Sequence, residues 1–138
     1  MKPELRDTYL ASDYRVRLPR GGYASIRIGQ PLPAALRACL RYDDEAWAFV
    51  TAWNPRSRPQ PRAANRRAQR GLLAALRAMT PPPRIRAAIG VGTDGWREPS
   101  LWLAGVELAA LDILMRRHAQ NAIVRGHAAG PAELHVVP

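Results

Sequence analysis

The sequence of 138 residues contains a single cysteine, Cys39, and a single lysine, Lys2. One cysteine cannot form an intramolecular disulfide or a cysteine-based zinc site. The three histidines lack the i, i+4 spacing of a metal-binding pair on a helix, so neither a metal nor another cofactor is expected. Glycine-rich phosphate loops and the G-x-S-x-G nucleophile motif are also absent. The sequence thus lacks the signatures of a metalloprotein, a nucleotide-binding enzyme and a serine hydrolase.

Long apolar runs are also missing. The most apolar stretch, residues 101–115, is interrupted by Glu107 and Asp112, so it is not expected to span a membrane. Four of the first seven residues are charged, where a secretory signal would need an apolar core. Together with the lack of disulfides, these features predict a reduced, soluble, cytoplasmic protein that forms one domain over residues 1–138.

The charge is strongly unbalanced. Lys and Arg number 21 against 11 Asp and Glu, which gives a formal net charge of +10 and an isoelectric point of about 11.3. Such a charge favours polyanionic partners, including nucleic acid. Every basic residue except Lys2 is arginine, and proline is frequent, as is common in proteins from GC-rich genomes. Compositional drift and nucleic-acid binding therefore both stay open as explanations.

Hydrophobic periodicity predicts an α+β protein. Alternation over residues 14–28 predicts a β-hairpin, and helical spacing over 33–41 predicts a short helix. The following pattern is strand 47–53, helix 63–79, strands 85–91 and 101–106, helix 107–118, and strands 122–124 and 134–137. Residues 46–126 therefore have the βαββαβ order of a ferredoxin-like core, to which the N-terminal hairpin and short helix are additions.

Two of these elements carry predictions about their faces. In the first core strand, alternation places Trp47, Phe49, Thr51 and Trp53 on one face and Ala46, Ala48, Val50 and Ala52 on the other. In the last helix, the predicted core stripe is Val106, Ala109, Ala110, Ile113 and Leu114, and a second apolar stripe is Leu108, Leu111 and Met115. A helix that is apolar on two faces is either deeply buried or a contact surface, so homodimerisation stays open.

The ferredoxin-like topology brings four distant segments to one edge of the sheet. They are the loop after the first core strand, the start of the next helix, the turn between the middle strands, and the link before the last core strand. Their polar residues form the candidate ligand site: Asn54, Arg56, Ser57, Asn65, Arg66, Asp94, Trp96, Glu98, Ser100, Gln120 and Asn121. Arginines and helix N-terminal amides favour an anion, so an anionic small molecule or protein is the expected partner.

The alternative for these residues is purely structural. Asn, Asp, Ser and Gly are common in turns and helix caps, where their side chains bond to the backbone. In this interpretation Arg66 pairs with Glu98, and Ser100 only secures a hairpin. An enzyme that uses Asp94 and Glu98 as an acid–base pair is a further hypothesis, but two turn carboxylates beside arginines are more often salt bridges. We therefore do not expect an enzyme.

A nucleic-acid-binding domain is the main alternative function. RNA-recognition domains expose aromatic side chains on the central strands of a βαββαβ sheet. Trp47, Phe49, Trp53 and Trp102 could form such a platform, although the glycine- and aromatic-rich signature of those domains is missing. The apolar residues of the N-terminal hairpin and short helix are expected to cover part of the same face.

Four segments resemble a bacterial family catalogued as domain of unknown function 3293. They are FVTAWNPRSR at 49–58, the pair Asn65-Arg66, GWREPSLWL at 95–103 and QNAIV at 120–124. The resemblance covers about residues 46–125 and is only loose over residues 1–45. No activity is established for that family, so the resemblance implies kinship and no particular chemistry. The expected protein is thus a small binding or accessory module of the α+β class.

Overall fold

The protein is of the α+β class, and a computed structural model describes all 138 residues. The helices are α1 (Pro3–Ala11), α2 (Ala34–Arg37), α3 (Arg62–Arg77) and α4 (Leu108–Arg117), with a short 3₁₀ helix at Pro55–Ser57. The strands are β1 (Asp13–Arg17), β2 (Tyr23–Ile26), β3 (Ala46–Val50), β4 (Arg84–Val91), β5 (Arg97–Ala104), β6 (Ala122–His127) and β7 (Glu133–Val136). None of the helices combines the length and the hydropathy needed to cross a membrane.

All seven strands form one antiparallel sheet, which curls into a half-barrel. The strand order is β2-β1-β4-β5-β3-β6-β7. At its centre, β3 pairs with β5 through Phe49 and Trp102, and with β6 through Trp47 and Gly126. The N-terminal hairpin joins the sheet through β1 beside β4. The hairpin therefore adds two strands, β1 and β2, to one side of the curled sheet.

The two faces of the sheet carry separate apolar cores. Ala48 and Val50 of β3 face α3 and α4, where they pack with residues such as Leu72 and Leu111. The large side chains of β3 and β5 point to the concave face, where the hairpin, α2 and the chain before it cover them. This concave core contains Tyr14, Val16, Ile26, Leu32, Leu36, Trp47, Phe49 and Trp102. The alternation predicted for β3 is thus confirmed as far as Val50, where the strand ends. It is wrong for Trp53, which lies beside α3 on the face opposite to Trp47 and Phe49, because the chain leaves the sheet after Val50.

Helix α4 differs from its prediction. Ile113 is 50% exposed and Ala109 is exposed, whereas Leu111 and Met115 are fully buried, so the predicted core stripe is wrong at Ala109 and Ile113. Val106 and Leu114 of that stripe do pack in the core. One face of α4 enters the core and the other faces solvent. Glu107 sets the start of the helix, because its carboxylate accepts hydrogen bonds from the amides of Ala109 and Ala110 at 3.3 and 2.7 Å.

Helix α1 was not predicted from periodicity. Pro3 at its first turn and Glu4 nearby both favour a helix start. None of its residues is fully buried, and none belongs to either core. It is attached through the Tyr14 hydroxyl, which donates to the carbonyl of Tyr9 at 2.5 Å. Helix α1 therefore lies on the sheet as an outer wall.

At the far end of the sheet, Glu45 and Arg84 form an ion pair whose carboxylate is buried. The Glu45 carboxylate is 3% exposed and accepts hydrogen bonds from the Arg84 guanidinium and from the Arg41 amide. Arg84 also donates to the carbonyl of Cys39 at 3.0 Å. The bond from Arg84 holds the pKa of Glu45 below its ordinary value. The loop before β3 is thereby tied to β4.

Candidate functional site

The polar edge predicted from the sequence surrounds a cavity of about 300 Å³, which we call the edge cavity. It lies on the concave face between α1, the end of β3 and the β4–β5 turn. Seven of the predicted site residues line it: Asn54, Ser57, Asp94, Trp96, Glu98, Ser100 and Gln120. Apolar and aromatic residues form the rest of the wall, among them Leu5, Tyr9, Tyr14, Phe49, Val50, Ile123 and Val124.

The loop after β3 is held by a pair of asparagines. Asn65 of α3 is only 2% exposed, and its amide oxygen accepts from the Asn54 backbone N–H at 2.8 Å. Its amide nitrogen donates to the Asn54 side-chain oxygen, also at 2.8 Å, and Gln60 adds a bond to Asn65 at 2.7 Å. Asn54 has φ 47°, a left-handed conformation that asparagine tolerates well. This pair is a structural lock.

The next residues of that loop are tied to the link before β6. The Arg56 amide donates to the carbonyl of Ala119 at 2.6 Å, and Asn121 Nδ2 donates to Ser57 Oγ at 3.0 Å. Arg56 and Ser57 both have positive φ, at 56° and 59°. Non-glycine residues adopt such angles only where surrounding contacts enforce them. The two loops therefore fix each other at the cavity wall.

Most polar residues of the β4–β5 turn and the β6 link also bond to nearby backbone. Asp94 Oδ1 accepts from the Trp96 amide at 3.0 Å, and Ser100 Oγ donates to the Glu98 carbonyl at 2.9 Å. Gln120 Nε2 donates to the carbonyl of Trp53 at 3.4 Å. Trp96, 43% exposed, stands at the cavity mouth. For these residues the structural interpretation accounts for the hydrogen bonds.

Glu98 is the exception at this edge. Its Oε2 atom is buried and has no hydrogen-bond partner. Burial raises the pKa of the Glu98 carboxyl to about 8, so the protonated form predominates at neutral pH. Burial also raises the pKa values of Tyr9 and Tyr14, whose rings line the same cavity. The cavity thus contains a carboxyl oxygen, Glu98 Oε2, that is free to form a hydrogen bond.

The pair predicted between Arg66 and Glu98 does not form, and strand alternation gives the reason. Glu98 and Ser100 of β5 face the edge cavity, whereas Pro99 and Leu101 face a groove beside α3 that also contains Arg66. The sheet therefore separates the arginine from the carboxyl.

The cations of the predicted site lie outside the edge cavity. Its only charged lining residues are Asp94 and Glu98, both acidic. Arg56 lines a neighbouring cleft with Arg58 and Arg116, which also borders Ser57, Gln120 and Asn121. Acidic and basic groups of the polar edge are thus distributed over different depressions of the surface.

The four-residue aromatic platform is wrong. Trp47, Phe49 and Trp102 are buried in the concave core, under the hairpin, α2 and the chain before it. Only Trp53 of the four is partly exposed, and it lies in the groove beside α3. Three of these side chains are core residues because the N-terminal additions cover the central strands completely.

Sequence reasoning missed the contribution of the N-terminal segment. Leu5, Thr8, Tyr9 and Ser12 close one side of the edge cavity, and Tyr14 lies in its floor. The spacing of Leu5, Thr8 and Tyr9 is that of one helical face, which was the available signal. No group of three His, Cys, Asp or Glu side chains in the chain could hold a metal ion.

The fold and the edge cavity define a small α+β protein with a partly enclosed, largely apolar cavity that has polar groups at one edge. The family model described as "Protein of unknown function (DUF3293)" matches residues 50–123, which is more than half of the chain. The chain belongs to this family. No curated protein and no solved structure matches this chain significantly. The matched range includes Asn54, Asn65 and Glu98, whereas α1 and β1 lie outside it.

Proposed function

We propose that the protein is a binding module whose edge cavity takes a small, largely apolar molecule with a hydrogen-bond-donating group. The observation that carries this proposal is the Glu98 carboxyl, whose buried Oε2 has no partner. An unsatisfied buried polar atom costs about 1–3 kcal/mol. A ligand that donates a hydrogen bond to it recovers that cost, so the ligand and the site are complementary.

The lining of the cavity supports this class of ligand. Small-molecule sites are mostly apolar, with a few placed polar groups, and begin at about 300 Å³. The edge cavity matches that description, with aromatic and aliphatic walls around Glu98. A primary amine is the best-matched donor, because its positive charge stabilises the ionised carboxylate as well. The anionic partner expected from the sequence would instead find its cations in the cleft at Arg56.

Binding is proposed in preference to catalysis. Asp94 is exposed at the cavity mouth, and its Oδ1 accepts a bond from the amide of its own turn. An acid–base pair needs both carboxyl groups within hydrogen-bond reach of the substrate atoms that gain or lose a proton. The Asp94 carboxylate is already engaged in stabilising its own turn. A cytoplasmic location belongs to the same proposal, since Cys39 is a free thiol.

We also propose that the scaffold of the site is a ferredoxin-like core with additions. The inner strands run in the order β4-β5-β3-β6, with every neighbour antiparallel. Helices α3 and α4 contribute to the same core on one face. This order and this layering are what a split βαβ unit requires, and they support the proposal.

The test compares three ligands of one chain length: hexylamine, hexanol and hexanoate. Calorimetric titration of the protein is expected to detect hexylamine binding most tightly, hexanol more weakly and hexanoate not at all. Hexylamine affinity should rise with pH up to about 8, because the Glu98 carboxyl must lose its proton to pair with the cation.

Glu98→Gln is the informative variant, and Glu133→Gln is its control. Glu133 is an exposed residue of β7 that forms no salt bridge and lies outside the cavity. Glu98→Gln should abolish the preference for the amine over the alcohol, whereas Glu133→Gln should keep it. If none of the three ligands binds, or if both variants behave alike, the proposal fails.

A further inference from the structure

A groove of about 360 Å³ lies between α3 and the ends of β3 and β5, on the face of the sheet opposite to the edge cavity. We propose that this groove binds single-stranded nucleic acid, with a base on Trp53 and the phosphates along the arginines of α3. Its lining residues are Trp53, Arg62, Arg66, Gln69, Arg70, Leu73, Pro99 and Leu101. None of them lines the edge cavity.

The arginines of the groove form a ridge along one side of α3. Arg62, Arg66 and Arg70 are spaced four residues apart, so their side chains lie on one face at intervals of about 6 Å. All three are exposed, and none forms a salt bridge. The whole helix contains five arginines and no acidic residue.

This ridge is unfavourable for the isolated helix. Like charges at i, i+4 repel one another, and Arg62 places a cation in the first turn, where it opposes the helix dipole. An external polyanion placed along the ridge would remove both penalties. The regular spacing suits a chain of phosphates, because each guanidinium can bind one phosphate in bidentate fashion.

Apolar side chains form part of the groove lining, and their surface suits a planar group such as a base. Trp53, Leu73, Pro99 and Leu101 supply it. The backbone of Trp53 is fixed on both sides, since its amide donates to Thr51 Oγ1 at 3.0 Å and its carbonyl accepts from Gln120. A partly exposed indole held beside cations is the arrangement that stacks a base while the arginines bind the backbone. This pairing favours nucleic acid over an acidic peptide.

The length of the arginine ridge sets the expected salt dependence of binding. The ridge from Arg62 to Arg70 is about 12 Å long, enough for about three phosphates. Displaced counterions then give a slope of about −2 in the logarithm of affinity against the logarithm of salt concentration. Binding should therefore weaken about tenfold between about 50 and 150 mM salt, without dependence on base sequence.

The test is fluorescence anisotropy with labelled oligothymidylate and oligouridylate of about ten nucleotides at those two salt concentrations. The variant Arg62→Gln/Arg66→Gln/Arg70→Gln removes the ridge. Its matched control, Arg20→Gln/Arg37→Gln/Arg117→Gln, removes the same charge from exposed positions outside the groove. We expect the ridge variant to lose at least tenfold in affinity and to flatten the salt dependence, and the control to lose much less.

Trp53 provides an independent readout. Trp53→Ala should weaken binding about tenfold, whereas Trp53→Phe, which keeps an aromatic ring, should retain most of it. Urea unfolding of both variants separates a stacking effect from a loss of folded protein. Glu98→Gln should leave oligonucleotide binding unchanged, so the groove and the edge cavity are tested separately.

Three results would overturn the inference. One is the absence of oligonucleotide binding at about 50 mM salt. Another is equal weakening by the ridge variant and its control, which would mean that diffuse net charge is responsible. The third is equally tight binding to phosphatidylserine vesicles that does not depend on Trp53, which would assign the ridge to membrane lipid.

Discussion

Replacing Glu98 with glutamine should make the protein more stable at neutral pH. In the unfolded chain the Glu98 carboxyl has its ordinary pKa of 4.5, whereas burial raises the folded-state pKa to about 8. Between these values the unfolded chain has lost a proton that the folded protein retains, so stability falls as pH rises. Each unit of separation corresponds to about 1.4 kcal/mol. The cost is therefore about 3 kcal/mol at pH 7 and about 5 kcal/mol above pH 8.

Glutamine has nearly the same shape and does not titrate. At about pH 4 the carboxyl is protonated in both states, so Glu98→Gln and the wild type should have similar free energies of unfolding. The advantage of the variant should then grow by about 1.4 kcal/mol per pH unit and level off near pH 8. Urea unfolding at several pH values between about 4 and 9 measures this difference directly.

Glu133→Gln is the control for the loss of one negative charge, and it should produce no such pH-dependent gain. Because both variants replace one carboxyl group by an amide, their difference isolates the environment of Glu98. A Glu98→Gln protein that is no more stable than the wild type at pH 7 would refute the reasoning. So would a gain of constant size across the pH range, since only titration of a buried carboxyl gives the slope.

Three further substitutions test the packing of the scaffold. Gly126→Ala should destabilise by about 2 kcal/mol in urea unfolding, because the new Cβ would lie 3.0 Å from the Trp47 ring and 2.9 Å from a carbonyl oxygen. Arg84→Met should cost about 3 kcal/mol at pH 7, since it leaves the buried Glu45 carboxylate without its counter-ion and with only the Arg41 amide as a partner. That loss should shrink below about pH 4, where Glu45, whose pKa Arg84 lowers, becomes protonated. Asn65→Ala should cost about 2 kcal/mol and speed hydrogen exchange at residues 54–57.

The contrast between β3 and α4 illustrates how much of the fold can be predicted from sequence. In β3, small and large residues alternate, so the two faces were assigned correctly up to Val50, and the assignment failed only beyond the end of the strand, at Trp53. In α4 almost every position is apolar, and the periodicity allows more than one buried face. Only packing against α3 and the sheet places Leu111 inside and Ile113 outside. Periodicity therefore fails where the pattern has little contrast.

The sequence predicted which residues lie together at the candidate site, but not which hydrogen bonds they form. Strand direction alone brought Asn54, Glu98 and Gln120 to one edge. Which polar groups bond to one another depends on side-chain geometry, which the sequence does not contain. The Asn54–Asn65 lock and the isolated Glu98 carboxyl therefore emerged only from the structure. Helix α1 was not predicted because it has too few apolar residues to show the pattern of a core helix.

The stretch TAWNPRSRP, residues 51–59, connects the two proposed sites across the sheet. Thr51 and Asn54 line the edge cavity, whereas Trp53 lies in the groove beside α3. In β5 the same division places Glu98 on one face and Pro99 on the other. A cation near Glu98 would lower its pKa towards the ordinary value, and a nearby carboxylate would neutralise the arginine ridge. The rigid loop and the sheet keep the Glu98 carboxyl and the arginine ridge apart, so an unpaired acid and unpaired arginines persist on opposite faces of one sheet.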